Sequence, residues 1–296
     1  MRFLTTFFLF AISLTAKAQT FDDWKHTVNW DGASHWSTYI KTNAAFMGPN
    51  ALAVPLISNG SIDSNNSVAL TGQLHFSEGD KTQSIVLYGN YCLVKDVISF
   101  DVSYIPYEFY SMSDEIKKER HVYYQYYNDK KARGDVLLNT TINLFNKHRK
   151  KIQMALRLGY RLPSSSGFGA ARFTDAMGYT IDLSAAKPFN SIPLKWIAMA
   201  GIYCWQIQKE DLRQNDAFLF GTGLEWNPKT WRIQTYVAGY LGYMYKSGDK
   251  PMVFRAEAQK KLQKTSLLLR FQQGFHDFKY STVEFGGRYF FKQKKA

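Results

Sequence analysis

Hydrophobic and polar residues alternate along most of the chain after Asn65, in segments separated by few residues. A period of two is the pattern of a β-strand whose two faces meet different surroundings. The clearest segment is 150–162, with Ile152, Met154, Leu156, Leu158, Tyr160 and Leu162 on one face and Gln153, Arg157, Gly159 and Arg161 on the other. The pattern predicts strands at 65–77, 81–93, 96–108, 133–145, 150–162, 176–188, 193–206, 215–227, 230–243, 251–262, 264–275 and 279–291.

The predicted strands are long enough to cross a bilayer when tilted. With the N-terminus in the periplasm, the three longest connections, 109–132, 163–175 and 207–214, all fall outside the cell. Long outer loops and short periplasmic turns are typical of bacterial membrane barrels. We therefore predict an all-β fold, a transmembrane antiparallel up-and-down β-barrel of about twelve strands, with fourteen as the alternative. A soluble β-sandwich also fits the alternation.

The last predicted strand contains Ser281–Phe291 and ends its hydrophobic face on Tyr289 and Phe291. This ending resembles the terminal strand of bacterial outer-membrane barrels, which their assembly machinery recognises, although most of those chains lack a tail such as 292–296. The tract Ala171–Tyr179 resembles one in uncharacterised exported barrels of the Bacteroidetes type. Both resemblances imply a barrel in the outer membrane, at the level of the class and without a particular function.

Charged residues in the middle of the predicted strands share the parity of the polar face. Since Arg or Lys facing lipid at the membrane centre costs about 2–4 kcal/mol, this face is expected to line the lumen. Outward charges such as Glu108 are expected only at strand ends. The predicted lumen and selectivity residues are Arg157, Arg161, Asp182, Glu225, Arg232, Arg255, Glu257, Arg270, Glu284 and Arg288.

The region before the first predicted strand divides into two parts. Residues 1–18 read as a cleavable signal peptide, with a basic start, a hydrophobic core and an Ala-x-Ala ending. Residues 19–64 contain prolines and glycines that argue against a central strand. They are expected to form a periplasmic segment or a lumen plug, with an extra hairpin as the alternative. The Gly-Pro-Asn-Ala run at 48–51 is similar to the hatch of long-chain fatty-acid channels. The barrel is expected to occupy 65–291.

The composition combines 16% aromatic residues with a formal charge of +13. Aromatic girdles at the membrane boundaries explain the high aromatic content. Trp196, Trp226 and Trp231 fall near periplasmic strand ends, where such a girdle is expected. Basic residues are expected to contact lipopolysaccharide phosphates and membrane lipid, or to attract anions; an ordinary decoration of loops explains them equally well. The basic residues form no nucleic-acid motif, and the spacing of His and Cys indicates no metal site or cofactor.

An arginine-rich lumen favours passive passage of small, preferably anionic solutes. The alternative is that arginines pair with carboxylates across strands, as Arg157 with Asp182 or Arg270 with Glu257 or Glu284, and fill the lumen. In the outer loop 163–175, Arg172 and Asp175 are expected to contribute to a constriction. The tyrosine-rich loop 109–132 supports a second hypothesis, an accessory barrel that binds a protein partner.

The sequence offers weak support for catalysis. His75-Phe76-Ser77 places histidine and serine on one face, and this His-x-Ser spacing resembles the catalytic pair of the outer-membrane phospholipase. That family uses a lipid-facing pair with an asparagine support, whereas here the pair has inward parity. The same spacing recurs at His35-Trp36-Ser37. We predict that the protein is not an enzyme.

Overall fold

The computed structural model describes residues 20–145, 152–207, 214–244 and 246–291. The predicted signal peptide and the tail 292–296 lie outside this part of the chain. Within it, thirteen strands form one antiparallel sheet. The strands are β1 (Asn66–Ser77), β2 (Asp80–Val94), β3 (Ile98–Met112), β4 (Lys131–Ala132), β5 (Val136–Asn143), β6 (Gln153–Leu162), β7 (Gly178–Pro188), β8 (Leu194–Gln206), β9 (Gln214–Trp226), β10 (Trp231–Gly242), β11 (Met252–Lys261), β12 (Thr265–His276) and β13 (Ser281–Phe291).

The sheet closes on itself. Strand β1 pairs with β2 on one side and with β13 on the other, over eleven residue pairs from Asn66 opposite Phe291 to Phe76 opposite Ser281. Because β4 is only two residues long and pairs with the end of β3, twelve strands make the complete circuit. The prediction of a twelve-stranded antiparallel barrel is confirmed, and the alternative of fourteen strands is not needed.

The strand predicted at 133–145 differs from the observed one. It is divided into β4 and β5, and the residues between them bulge out of the ladder while Gly134 N–H still donates to the Ile105 carbonyl at 2.8 Å. A second irregularity lies in β3, where the register with β2 shifts between Tyr104 and Tyr107. A bulge reverses the parity of the residues beyond it. Glu108 therefore points inward and is fully buried, which corrects the expectation that it faces outward.

The outer surface of the barrel is hydrophobic. Outward side chains such as Leu70, Leu269 and Phe285 are more than half exposed, whereas the inward neighbours Thr71 and Glu284 are polar and buried. Trp196, Trp226 and Trp231 are exposed by 42–45% near the ends of β8, β9 and β10. This arrangement is that of a lipid-facing belt with an aromatic girdle. None of the helices among the described residues is long and hydrophobic enough to span a membrane.

The two ends of the barrel differ. The end that carries 113–135 and 163–177 is called the loop end, and the opposite one the turn end. Helix α1 (Phe21–Val28) lies at the loop end, begins with a capping box between Thr20 and Asp23, and ends at left-handed Asn29. The loop end also holds α2 (Asp114–Glu119) and short 3₁₀ helices at Trp36–Tyr39, Tyr124–Tyr126 and Phe168–Ala170.

The tyrosines of the loop 109–132 pack against the N-terminal region. The ring of Trp24 meets that of Tyr123 at 5.0 Å, and the ring of Trp36 stacks on Tyr123 at 4.8 Å. Phe21 contacts Tyr124 at 5.4 Å. These rings form an aromatic cap over the loop end, so this part of the loop contacts the chain itself.

Candidate functional site

Residues 41–64, called here the interior segment, run from the loop end to the turn end inside the barrel. At the loop end, Ala45 N–H donates to the Gly248 carbonyl at 3.0 Å, and Gly48 N–H to the Ala171 carbonyl at 2.9 Å. At the turn end, Asp63 pairs with Arg288 at 2.7 Å. The segment is not part of the sheet, so its buried carbonyl groups need donors from side chains.

Three inward side chains supply those donors. Arg161 Nη1 donates to the Ala51 carbonyl at 2.5 Å, and Tyr240 OH to the Leu52 carbonyl at 2.9 Å. Arg255 donates from Nη2 to the Val54 carbonyl at 2.6 Å and from Nη1 to the Pro55 carbonyl at 3.0 Å. The predicted lumen residues Arg161 and Arg255 thus hold the backbone of the interior segment.

The interior segment packs on one side of the lumen. Its hydrophobic side chains share one buried cluster with inward residues of β8 to β11, and Ile57 lies against Gly221 of β9. The buried members of this contact are Met47, Ala51, Leu52, Val54, Ile57, Ile197, Met199, Leu219, Ala238, Tyr240 and Val253.

A cavity of about 280 Å³ lies on the other side of the segment. Its wall comes mainly from β1, β2, β3, β5, β6, β7, β12 and β13, with Tyr203 of β8, Arg255 of β11 and residues 49–56 of the segment. Four arginines and three carboxylates face it: Arg157, Arg161, Arg255, Arg270, Asp101, Asp135 and Glu284.

Most of the predicted lumen charges form ion pairs. Arg157 Nε lies 2.7 Å from Asp182 Oδ2, and Arg270 lies 2.8 Å from Glu257 and 2.6 Å from Glu284. These are the pairs that the alternative hypothesis named.

Glu257 has a second basic partner, and Glu225 also has polar partners. Glu257 binds Arg232 at 2.8 Å, and fully buried Glu225 accepts hydrogen bonds from Asn59 and Gln234 and lies 3.3 Å from Lys195 Nζ. Ordered pairing across strands fixes the positions of these side chains and neutralises them locally.

Arg161 and Arg255 differ from the other predicted lumen arginines in their partners. Both are at least 95% buried, and neither forms an ion pair with any described residue. Arg161 bonds to a carbonyl and to Tyr203 OH at 3.3 Å, and Arg255 to carbonyls and to Gln272 at 2.5 Å. Since a guanidinium group stays charged at any physiological pH, both residues place a positive charge at the cavity wall that no direct ion pair neutralises.

A buried charge cluster lies at the loop end of the lumen, beside the cavity. Arg172 is fully buried, and its guanidinium donates to Glu108 at 2.9 Å, Asp80 at 2.7 Å and Thr82 at 2.7 Å. Arg120 donates to Asp80 at 2.7 Å. Burial alone would lower the pKa of Arg172, but the carboxylates of Glu108 and Asp80 outweigh it and raise the pKa above its ordinary value.

The constriction expected from the loop 163–175 takes a different form. The loop does pack inward through Phe168, Ala170 and Ala171, but Arg172 contacts the cluster and does not line the cavity. Asp175 is exposed at a left-handed turn (φ 44°), and its N–H donates to Ser165 Oγ at 3.2 Å. The cluster was missed because Asp80 and Arg120 fall in predicted connections and Glu108 has the wrong apparent parity.

His75 does not contact Ser77 among the hydrogen bonds of the described residues. Its Nδ1 lies 2.9 Å from Thr282 Oγ1, and its Nε2 lies 3.3 Å from Asn50 Nδ2. Because the Asn50 amide nitrogen is a donor and also reaches Glu108 at 3.0 Å, Nε2 is the acceptor and Nδ1 carries the proton. In this tautomer His75 donates to Thr282 and does not activate it as a nucleophile.

His35 of the second His-x-Ser sequence and the two cysteines of the chain show no sign of catalytic or disulfide chemistry. His35 Nδ1 lies 2.8 Å from Ser37 Oγ, and the histidine caps the 3₁₀ helix that begins at Trp36. Cys92 and Cys204 are buried and not bonded to each other. In the described ranges no group of His, Cys, Asp and Glu has the arrangement of a metal site.

The fold of the chain is similar to that of solved outer-membrane barrels. An outer membrane channel from Pseudomonas putida F1 superposes with a TM-score of 0.58 at 9% identity, over 81% of this chain and 100% of that one. The NanC porin superposes with a TM-score of 0.50 at 6% identity, over 76% of this chain and 100% of that one. No family model matches the chain, and no curated protein matches it in sequence. The protein has the fold of an outer-membrane β-barrel.

Proposed function

We propose that the protein is an outer-membrane channel through which small solutes, preferably anions, pass beside the interior segment. The observation that carries the proposal is the cavity of about 280 Å³ between that segment and the opposite wall. The hydrophobic exterior and the tryptophan girdle support the membrane location. The names of the two similar structures, a channel and a porin, agree with passage as the activity.

The anion preference rests on Arg161 and Arg255. The other two arginines that face the cavity, Arg157 and Arg270, have carboxylate partners within 2.8 Å and contribute little net charge. Positive charges that line a confined path lower the energy of an anion there and raise that of a cation. The proposal therefore assigns selectivity to the arginines that hold the interior segment.

Replacing Arg255 with glutamine is expected to reduce the anion-to-cation permeability ratio about fivefold. A unit charge at about 4 Å in water is worth about 1 kcal/mol, which corresponds to that factor. The measurement is the reversal potential of single channels in a planar bilayer under a potassium chloride gradient.

Arg232→Gln is the matched control. Arg232 also points inward but pairs with Glu257 and does not line the cavity, so its replacement should leave the reversal potential unchanged. A cation-selective wild-type channel, or equal shifts in the two variants, would show that the arginines beside the segment do not set the preference.

A further inference from the structure

Arg161 uses only part of its hydrogen-bonding capacity. Its Nη1 donates to Ala51 and Tyr203, whereas Nε and Nη2 are buried and make no hydrogen bond to any described residue. These two nitrogen atoms form the side edge of the guanidinium group. Their spacing fits the two oxygen atoms of a carboxylate, which is why Arg–carboxylate pairs are often bidentate.

The side edge lies against a glycine. Gly178 of β7 lies opposite Arg161 in the register, and a Cβ atom at this position would lie 2.9 Å from Nη2 and 3.2 Å from Nε. Any other residue would therefore crowd the edge. Both residues line the cavity, so a small solute beside the interior segment is adjacent to this edge.

A carboxylate with a free oxygen lines the same part of the cavity. Asp135 lies in the bulge between β4 and β5, and its Oδ1 accepts the N–H groups of Ser164 at 3.0 Å and Ser165 at 2.9 Å. Its Oδ2 is buried and has no hydrogen-bond partner among the described residues. Bulges often re-aim a side chain next to a functional site.

Asp135 and Arg161 are neighbours, but neither side chain supplies the hydrogen bonds that the other lacks. Leu137, two residues after Asp135, is paired with Arg161 across β5 and β6, yet no ion pair joins the two charged groups. A buried donor edge and a buried acceptor left without partners cost free energy, and such groups need an explanation in a stable structure. A ligand that carries an anion and a cation a short distance apart would satisfy both.

The remaining wall of this part of the cavity is hydrophobic. Leu137 has inward parity and is 41% exposed, and Ile105 and Phe173 lie beside it in the lining. The whole cavity, about 280 Å³, is smaller than a typical site for a drug-sized ligand of roughly 300–1,000 Å³. The ligand must therefore be small, with a modest hydrophobic side chain.

We propose that this part of the cavity binds a zwitterionic α-amino acid. Its carboxylate pairs with Nε and Nη2 of Arg161, its ammonium group donates to Oδ2 of Asp135, and its side chain packs on Leu137. The inference deepens the proposed function, because it names one class of small solute, net neutral but bound through its carboxylate, and it rests on that function only for the statement that the bound solute crosses the membrane.

The test is isothermal titration calorimetry of the folded full-length barrel in detergent. L-alanine is the probe, with L-lactate and ethylamine as probes that lack the ammonium or the carboxylate. Alanine should bind, and each partial probe should bind at least about tenfold more weakly, because each loses a charge-assisted hydrogen bond. Equal affinity for lactate would overturn the role of Asp135, and absence of alanine binding would overturn the inference.

Three substitutions test the assigned contacts. Arg161→Lys keeps the charge but removes the bidentate edge, Gly178→Ala covers the edge, and Asp135→Asn keeps an oxygen for Ser164 and Ser165 but loses the anion. Each should weaken alanine binding by about tenfold or more, whereas Arg288→Gln at the turn end should not change it. Heat-modifiable electrophoretic mobility verifies that each variant is folded.

The two proposals fail separately. A barrel that conducts with anion preference but binds no alanine retains the proposed function and loses the solute class. A barrel that binds alanine but conducts nothing loses passage and retains the binding site. Variants that bind alanine as tightly as the wild type would show that the solute lies elsewhere in the cavity and contradict the assignment.

Discussion

Replacing Arg172 with glutamine is expected to lower the free energy of unfolding by about 3–5 kcal/mol. The guanidinium of Arg172 is the shared partner of Asp80 and Glu108, and the side chains of all three are fully buried. Its removal leaves Glu108 without a cationic partner and Asp80 with Arg120 alone. An uncompensated buried carboxylate is far more costly than the loss of an exposed ion pair.

Urea titration of the barrel in detergent, followed by heat-modifiable electrophoretic mobility, measures this effect. The control is Arg288→Gln, which breaks a pair with Asp63 whose side chains are about one-third exposed. We expect that control to change the free energy of unfolding by about 1 kcal/mol or less. Equal midpoints for the two variants would show that the cluster at the loop end does not stabilise the barrel.

Removal of residues 20–58 is expected to raise the single-channel conductance several-fold. The interior segment occupies the side of the lumen formed by β8 to β11. In the truncated chain water fills this space, so the cross-section that is open to ions becomes larger. Asn59 and Asp63, which bond to Glu225 and Arg288 at the turn end, remain in place. The anion preference should also fall, because the wider lumen holds mobile ions further from Arg161 and Arg255.

A shorter truncation serves as the control for this experiment. Removal of residues 20–35 takes away α1 and part of the aromatic cap but leaves the interior segment and its contacts with Arg161, Tyr240 and Arg255. Its conductance should stay at the wild-type value. The account of the lumen would be wrong if the long truncation folded as a barrel and conducted no more than the short one.

The strands could be predicted because the alternation of residues is a local signal. In β6, and in β7 as far as Ala185, every second residue is hydrophobic, and the pair Arg157 and Asp182 follows directly from the inward parity of both strands. Parity fails where a bulge adds a residue, as in β3 before Glu108. A bulge leaves little trace in the hydrophobic pattern, so the cluster around Arg172 could not be found from the sequence.

The path of the interior segment could not be predicted from local sequence patterns, for a different reason. Residues 41–64 have no periodicity, and the donors that hold their carbonyl groups come from positions far along the chain, Arg161, Tyr240 and Arg255. The same limit applies to the partners of His75. Its neighbour Ser77 is close in sequence, whereas Asn50 and Thr282, which it contacts, come from the interior segment and from β13.

Passage of solutes beside the interior segment can be tested through the single-channel current of Ala53→Cys. Ala53 lines the cavity, whereas Ala238 is fully buried on the opposite side of the segment, so Ala238→Cys is the matched control. The native Cys92 and Cys204 are buried, and the wild type shows their contribution. The measurement compares the current before and after addition of an anionic methanethiosulfonate reagent.

We expect the reagent to reduce the current of Ala53→Cys and to leave the currents of Ala238→Cys and the wild type unchanged. An added side group beside a narrow path both obstructs it and places a negative charge next to Arg161 and Arg255. An unchanged current in Ala53→Cys, or a folded barrel that carries no current at all, would contradict passage beside the interior segment.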